Sequence, residues 1–225
     1  MKRIQIAIDG PSGAGKSTVA RALAERLGIV YVDTGAHYRT VGYYVRQQET
    51  DPKDSEAVAK LLPQIHLDLR YEADGTQQVY LNGEAMGNRI RTPEMSMYAS
   101  AVSAIPAVRS FLLETQREIA RRNSVIMDGR DIGTTVFPDA ELKIFVTATP
   151  EIRAQRRFDE LKAKGQEGSF EEILENVKQR DYIDQHREVS PLRKADDALL
   201  LDNSNLSIEQ QKEWLSEQFG KVVKE

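Results

Sequence analysis

The 225-residue chain has no cysteine, only 3 histidines and 1 tryptophan, and no excess of basic over acidic side chains. Each shortage excludes something. Without cysteine there can be no disulfide framework and no thiolate metal site, and a reducing compartment, hence a cytoplasmic location, is the expectation. Long apolar runs are missing as well. Nothing approaches the roughly 20 residues that span a bilayer, and the N-terminal apolar stretch ends at Asp9, too short for the core of a signal peptide. A net charge of −4 argues against a general nucleic-acid binder, which usually carries a basic excess. Neither a membrane nor a nucleic acid is therefore an expected partner. The composition is that of a globular protein with one sizeable core and small appendages, or two modest domains.

The apolar pattern gives the layout. Ile4–Ile8 reads as a buried strand closed by Asp9-Gly10. Val19, Ala20, Leu23, Ala24 and Leu27 keep the spacing of an amphipathic helix from Ser17 to Leu27, stopped at Gly28. A strand over Ile29–Val32 and a helix over Ala36–Arg46 follow, so the order is that of a parallel sheet with crossover helices. It then breaks. A helix is expected from near Ser55 to Leu62, and strands over Ile65–Tyr71 and Gln77–Leu81 flank Ala73-Asp74-Gly75-Thr76 as a hairpin. Helices should start at Thr92-Pro93-Glu94 and at Pro106, the second reaching Asn123. Strands resume at Val125–Met127 and Leu142–Val146. Charged helices over Glu151–Lys164 and Phe170–Val189, a strand over Leu199–Leu201 and a helix over Ser207–Lys224 complete the chain. The expected organisation is an α/β core of residues 1–62, 92–149 and 189–225, interrupted by an antiparallel insert at 63–91 and a helical excursion at 150–188.

One motif carries chemistry by itself. Gly10-Pro11-Ser12-Gly13-Ala14-Gly15-Lys16-Ser17, followed by Thr18, matches the phosphate-binding loop G-x-x-x-x-G-K-[ST] in full. Its glycines let successive N–H groups turn inward around phosphate oxygens, and the helix that follows adds the positive end of its dipole. Lys16 can reach the β- and γ-phosphates, and the Ser17 hydroxyl can ligate Mg²⁺. The expected strand before the loop and helix after it support the match. Such a loop says that a nucleoside triphosphate binds and no more. A GTPase switch would add D-x-x-G and [NT]-K-x-D, and neither occurs.

More particular blocks follow: Asp33-Thr34-Gly35-Ala36-His37-Tyr38-Arg39, Asp128-Gly129-Arg130-Asp131-Ile132-Gly133-Thr134 with Val136-Phe137-Pro138-Asp139-Ala140, Arg180-Asp181, and Ser190-Pro191-Leu192. With the phosphate loop, and in this order, they resemble bacterial cytidylate kinases over nearly the whole chain. The resemblance implies a P-loop NTPase-type three-layer α/β sandwich with a parallel five-stranded central sheet, a monophosphate-binding insert and a helical lid. It also implies a monomer that transfers the γ-phosphate of ATP to CMP or dCMP with Mg²⁺. Phosphoryl transfer depends on positioning and charge neutralisation, and a largely dianionic monophosphate acceptor needs no strong base. The scarcity of histidine is thus no objection. The need is for arginines, whose planar forks hold phosphate oxygens.

Carried onto this chain, the resemblance implies Lys16, Arg130, Arg180 and Arg187 as catalytic, and residues 10–18 with the lid residues Arg153, Arg156 and Arg157 around ATP. Arg39 and Arg130 fall on the acceptor phosphate. Asp131 falls where a carboxylate accepts from the cytosine amino group, Ser100 and Arg109 at other base contacts, Asp184 at the ribose, and Thr34, Tyr38, Arg180 and Arg187 complete the CMP set. Asp33 and Asp128 end strands near the loop and are candidates for Mg²⁺-bound water, helix capping being the alternative. Arg180, Asp184 and Arg187 share one helix face, as do Arg153, Arg156 and Arg157. A solvated face is the competing reading, because residues 151–194 hold 10 basic and 10 acidic side chains. His37 and Thr135 depart from the family, and His37 reads as a partly buried helix residue. Another small P-loop kinase is the runner-up, a nucleotide-dependent switch the reading from a different class.

The net charge is also local. Residues 51–88 hold 3 basic and 7 acidic residues, and the rest of the chain 28 of each. The acidic excess therefore lies in the linker and insert, away from the phosphate loop and the arginine helices, and says nothing against nucleotides.

Overall fold

The computed structural model describes residues 3–71, 77–163, 165 and 168–222. The hairpin turn expected at 73–76, residues 166 and 167 of the link between the charged helices, and the ends of two helices expected at Lys164 and Lys224 lie outside them. In chain order the regular elements are β1 (Gln5–Asp9), α1 (Lys16–Leu27), β2 (Val30–Asp33), α2 (Thr34–Gln47), α3 (Ser55–Leu61), β3 (Leu67–Tyr71), β4 (Gln77–Leu81), β5 (Glu84–Ala85), α4 (Pro93–Ser103), α5 (Pro106–Arg122), β6 (Val125–Gly129), β7 (Leu142–Thr147), α6 (Pro150–Ala163), α7 (Phe170–His186), β8 (Leu199–Asp202) and α8 (Ile208–Val222).

The five-stranded sheet runs β2-β6-β1-β7-β8, and β3-β4-β5 form a separate antiparallel sheet. β1 pairs in parallel with both β6 and β7, and β7 with β8. The β1–β6 register sets Ile8 opposite Asp128 and Asp9 opposite Gly129. Two strands with polar carboxyl ends therefore finish side by side, the edge at which open α/β sheets bind ligands.

The chain divides into two compact units, Met1–Tyr31 with Asn123–Glu225, and Val32–Arg122. The first has a core of Ile6, Ile8, Val19, Ala20, Leu23, Ile126, Ile144, Val146 and Leu201, in which the apolar face of α1 meets the central strands. Full burial of one such Ile or Leu contributes roughly 1.5–3 kcal/mol. The second unit packs α2, α4 and α5 with the small sheet around Val41, Val45, Val58, Val79, Val102, Val108 and Leu112.

Where elements differ from expectation, local hydrogen bonds account for it. α2 starts at Thr34, two residues early, because the Asp33 carboxylate caps it by accepting from Ala36 N at 3.0 Å. α7 stops at His186 rather than Val189, since Arg187 is extended (φ −64°, ψ 144°) and its Nε donates to Ser190 O. β5 has two residues, too few for an alternation to show. A five-residue π turn over Ile132–Val136 carries no helical apolar pattern. Among the described residues, no single helix is long and apolar enough to cross a membrane.

Candidate active site

The phosphate loop joins β1 to α1, and two glycines show how closely it is gripped. Gly10 has φ +147°, and a Cβ there would meet Val146 O at 1.9 Å; Gly15 has φ +94°, and a Cβ there would lie 2.4 Å from Asn203 Nδ2. Side chains far along the chain fasten the loop. Asn203 Nδ2 donates to Ala14 O at 2.7 Å, Arg153 Nη1 to Ser12 O at 3.1 Å and Arg180 Nη1 to Ser12 Oγ at 3.0 Å. Lys16 Nζ donates to Pro11 O at 2.7 Å, closing the loop on itself. These bonds brace the loop from outside it, which limits the ordering entropy lost on binding.

Cations cluster at the loop. Burial pushes Lys16 down to about 7, and Arg130 and Arg180 push the same way while Asp128 and Asp9 oppose them. Cations that disfavour one another are what a polyphosphate stabilises. Arg130, immediately after β6, donates from Nε to Asp184 Oδ2 of α7 at 2.7 Å. Burial works against the charges of both, but each supports the other: Arg130 is held above the usual arginine value and Asp184 below the usual carboxylate range. One helical turn on, Arg187 Nη2 stands 3.3 Å from Asp131 Oδ1.

The two triplets placed on α6 and α7 therefore differ. Arg180, Asp184 and Arg187 do face the loop and the end of β6 together. Arg153, Arg156 and Arg157 separate: Arg153 is buried and paired with Asp181, Arg156 Nη2 reaches Asn203 O at 2.7 Å, and Arg157 pairs with Glu160 at 3.5 Å.

Ser17 Oγ donates to Asp128 Oδ2 at 2.8 Å, and Tyr31 OH to Asp128 Oδ1 at 2.9 Å. No cluster of three acidic, His or Cys ligands occurs among the described residues. A hydroxyl and a buried carboxylate in contact still suit Mg²⁺, which takes few protein oxygens and fills its shell with water and phosphate.

The second unit carries its own group. Arg39 Nη2 meets Asp33 Oδ2 at 2.9 Å; burial works against the Asp33 charge, but Arg39 and the Ala36 N–H outweigh it and hold Asp33 below the usual carboxylate range. Thr34 and Ser100 are buried, and the Ser100 hydroxyl has no hydrogen-bond partner among the described residues. Arg109, also buried, donates to Ser103 O at 3.2 Å and lies over the Tyr38 ring at 5.8 Å. His37 is 2% exposed, deeper than expected, and burial lowers its pKa to about 4. It is a neutral core residue.

Asn203 and Asp9 were not singled out as site residues. Asn203 sits in a polar turn after a short strand and carries no signal of its partner 189 residues away. Asp9 did leave one, a carboxylate ending an otherwise apolar strand directly before the phosphate loop.

Strand, phosphate loop and helix in this order, with a buried lysine, several arginines and a Ser–Asp oxygen pair around the loop, define a P-loop phosphotransferase. The chain belongs to the cytidylate kinase family, whose profile matches residues 6–221. It is 63% identical over 229 residues to a cytidylate kinase of Bacteroides thetaiotaomicron, covering 100% of both chains. With a cytidylate kinase of Caldicellulosiruptor bescii it shares 50% over 224 residues, covering 100% of this chain and 99% of the relative. The crystal structure of an uncharacterized protein from Eubacterium ventriosum aligns with a TM-score of 0.54 at 14% identity, over 98% of this chain and 99% of that one, a likeness of fold alone.

Proposed function

We propose that this chain transfers the γ-phosphate of ATP to CMP or dCMP, giving ADP with CDP or dCDP. Membership of the family indicates the reaction class, and the observation that carries the reading is the cation set around the loop: Lys16 at its centre, Arg180 on Ser12, and Arg130 and Arg187 held by carboxylates on either side. In this reading residues 10–18 bind the triphosphate through backbone N–H groups and Lys16. Arg130, Arg180 and Arg187 neutralise charge on the transferring phosphoryl group, the contribution that dominates this chemistry. Because their forks are fixed by Asp184, Ser12 and Asp131, they need no rearrangement at the moment of transfer.

Ser17, with Asp128 or Asp33 through water, would hold Mg²⁺, which would supply charge neutralisation for the phosphates. Arg153 fastens the loop at Ser12, Arg156 stands beside it, its Nη1 4.0 Å from where a Cβ on Gly15 would lie, and Arg157 pairs with Glu160. Arg39 holds the acceptor phosphate, Thr34 and Tyr38 line its site, Ser100 and Arg109 contact the base, and Asp184 the ribose. Asp131 accepts from the cytosine amino group. Uracil presents a carbonyl there, and carboxylate against carbonyl is unpaired. Residues 63–91 act as the monophosphate-binding insert and 150–188 as a lid that keeps water from the γ-phosphate.

The test is ADP formation by the Mg²⁺-loaded protein with CMP, dCMP, UMP, AMP and GMP as acceptors. CMP and dCMP should exceed the others in kcat/KM by at least about tenfold. A preference for any other acceptor overturns the substrate assignment, and tight ATP binding without turnover on any monophosphate overturns the kinase reading.

A further inference from the structure

The residue assigned to the cytosine amino group stands at the mouth of the π turn over Ile132–Val136. There Thr135 N and Val136 N donate to Asp131 O at 2.9 and 3.2 Å, and Phe137 N to Ile132 O at 2.7 Å. The first N–H groups of a helical turn have no acceptor inside it, and an aspartate at the cap position ordinarily supplies one. Asp131 holds that position with φ −145° and ψ 26°, yet its side chain makes no capping bond. The work is done from another strand. Ile132 N donates to Asp9 Oδ1 at 2.8 Å and Gly133 N to Asp9 Oδ2 at 2.7 Å, across 123 and 124 residues.

Asp9 is 5% exposed at the end of β1, opposite Gly129 in the sheet. Both carboxylate oxygens are thus spent on one turn. The seat is closed from the other side, since a Cβ on Gly133 would lie 3.2 Å from the Lys143 side chain and 3.4 Å from Asp9 Oδ2. Lys143 in turn anchors the end of the same segment by donating to Pro138 O. A carboxylate is an expensive group to bury, and an apolar strand end would close the sheet as well. Its two donors are the first two N–H groups of the turn that carries Asp131.

We propose that Asp9 is a positioning residue for acceptor choice, capping this turn in place of Asp131 and so leaving the Asp131 carboxylate to read the base. The inference rests on the assignment of Asp131 to the cytosine amino group. Asp9 also sets the distance between that reader and the phosphate loop, because Gly10 is its next neighbour in the chain.

The test is the ratio of CMP to UMP dissociation constants, with the ATP dissociation constant measured alongside, for the full chain and for Asp9→Asn, Asp9→Ser and Asp131→Ala. Asn keeps the shape but sets an NH₂ group against one of the two N–H donors. Asp9→Asn should weaken CMP binding and lower the CMP preference about tenfold, towards the Asp131→Ala value, with ATP affinity changed less than about threefold. If Asp9→Asn does not fold, Asp9→Ser, which keeps a single acceptor, should fall in the same order between the full chain and Asp131→Ala. Equal losses for CMP, UMP and ATP would make Asp9 a support of the phosphate loop alone and overturn the inference. So would an unchanged CMP to UMP ratio in the Asp9 variants while Asp131→Ala loses it. An unchanged ratio in Asp131→Ala itself would instead overturn the assignment of Asp131.

Discussion

In the unit that carries the phosphate loop, the buried ionisable groups answer one another: Arg153 pairs with Asp181, Arg130 with Asp184, Arg187 with Asp131, and Asp9 accepts two N–H bonds. In the unit of residues 32–122, the buried His37 Nδ1, Ser100 Oγ and Gln116 Nε2 have no hydrogen-bond partner among the described residues, as is also true of Thr134 Oγ1 and Asn203 Oδ1 in the first unit. Each such orphan costs on the order of 1–3 kcal/mol. The first unit therefore sets most of its buried charges against opposite charges. The second holds the Arg39–Asp33 ion pair and the buried Arg109 beside polar groups in neutral form, His37 being pushed below its ordinary range. The difference suits the proposed function, in which triphosphate chemistry needs fixed cations and the Ser100 hydroxyl is kept for the acceptor base.

The largest expected effect breaks the paired side. Arg130→Ala removes a cation from the loop and leaves Asp184 buried without its shortest partner. Turnover should fall about 10³-fold, the scale of losing a charge that stabilises the transferring phosphoryl group, while ATP binding, resting on residues 10–18, stays within about threefold. Single-turnover kinetics and ATP titration check both halves. An unchanged rate removes Arg130 from the site, and an equal loss in ATP affinity means that the arginine shapes the loop instead.

The next prediction sharpens the contrast through pH. His37 titrates near 4 in the folded protein against 6.5 when exposed. Between those values the unfolded chain binds more protons, so the stability due to neutral His37 is complete above 6.5 and is lost as pH falls towards 4. Asp9 works the other way. Burial raises it from 3.8 to about 7, the Asp131 charge adding to the effect against the two N–H bonds and Lys16. Its contribution to stability is present below 3.8 and lost as pH rises to about 7. The two terms offset one another across the same window. Between pH 8 and pH 5 His37→Leu should therefore gain about 2 kcal/mol of stability relative to the full chain, because the Asp9 term is no longer offset, read from urea unfolding midpoints. Parallel curves for the two proteins would show that His37 is not buried neutral.

Much of this was legible in sequence because it is local. The phosphate loop, the strand before it and the helix after it lie within about 25 residues, and the spacing of Val19, Leu23 and Ala24 names the face that packs on the sheet. Arg153 was not legible. On a helix of mixed charge its burial depends on Asp181, 28 residues away on another helix. Asp131 was placed by resemblance, but its release from capping depends on Asp9, brought opposite by the β1–β6 register rather than by any nearby motif. The register follows from Ile6, Ile8 and Ile126 filling one core, and period-two patterns do not say which strands will pair. Short elements such as β5 fail for a simpler reason, having too few residues to show a period.

The smallest prediction sets the floor of the comparison. Lys60 and Glu56 form an i, i+4 pair at 2.7 Å on α3, with side chains 71% and 83% exposed. The separation matches that of Arg130 and Asp184, so geometry alone would rank the two pairs equally. The surroundings do not. An exposed pair gains little Coulomb energy in water, loses side-chain entropy and is screened by salt, leaving about 0.3–0.5 kcal/mol. Glu56→Gln should lower stability by no more than about 0.5 kcal/mol at low salt, and by less at 1 M NaCl. Turnover should not change, since α3 contributes none of the residues around the loop. A loss well beyond that limit would mean that charge on the surface of the second unit is organised as tightly as charge in the first, and the contrast between the two would fail.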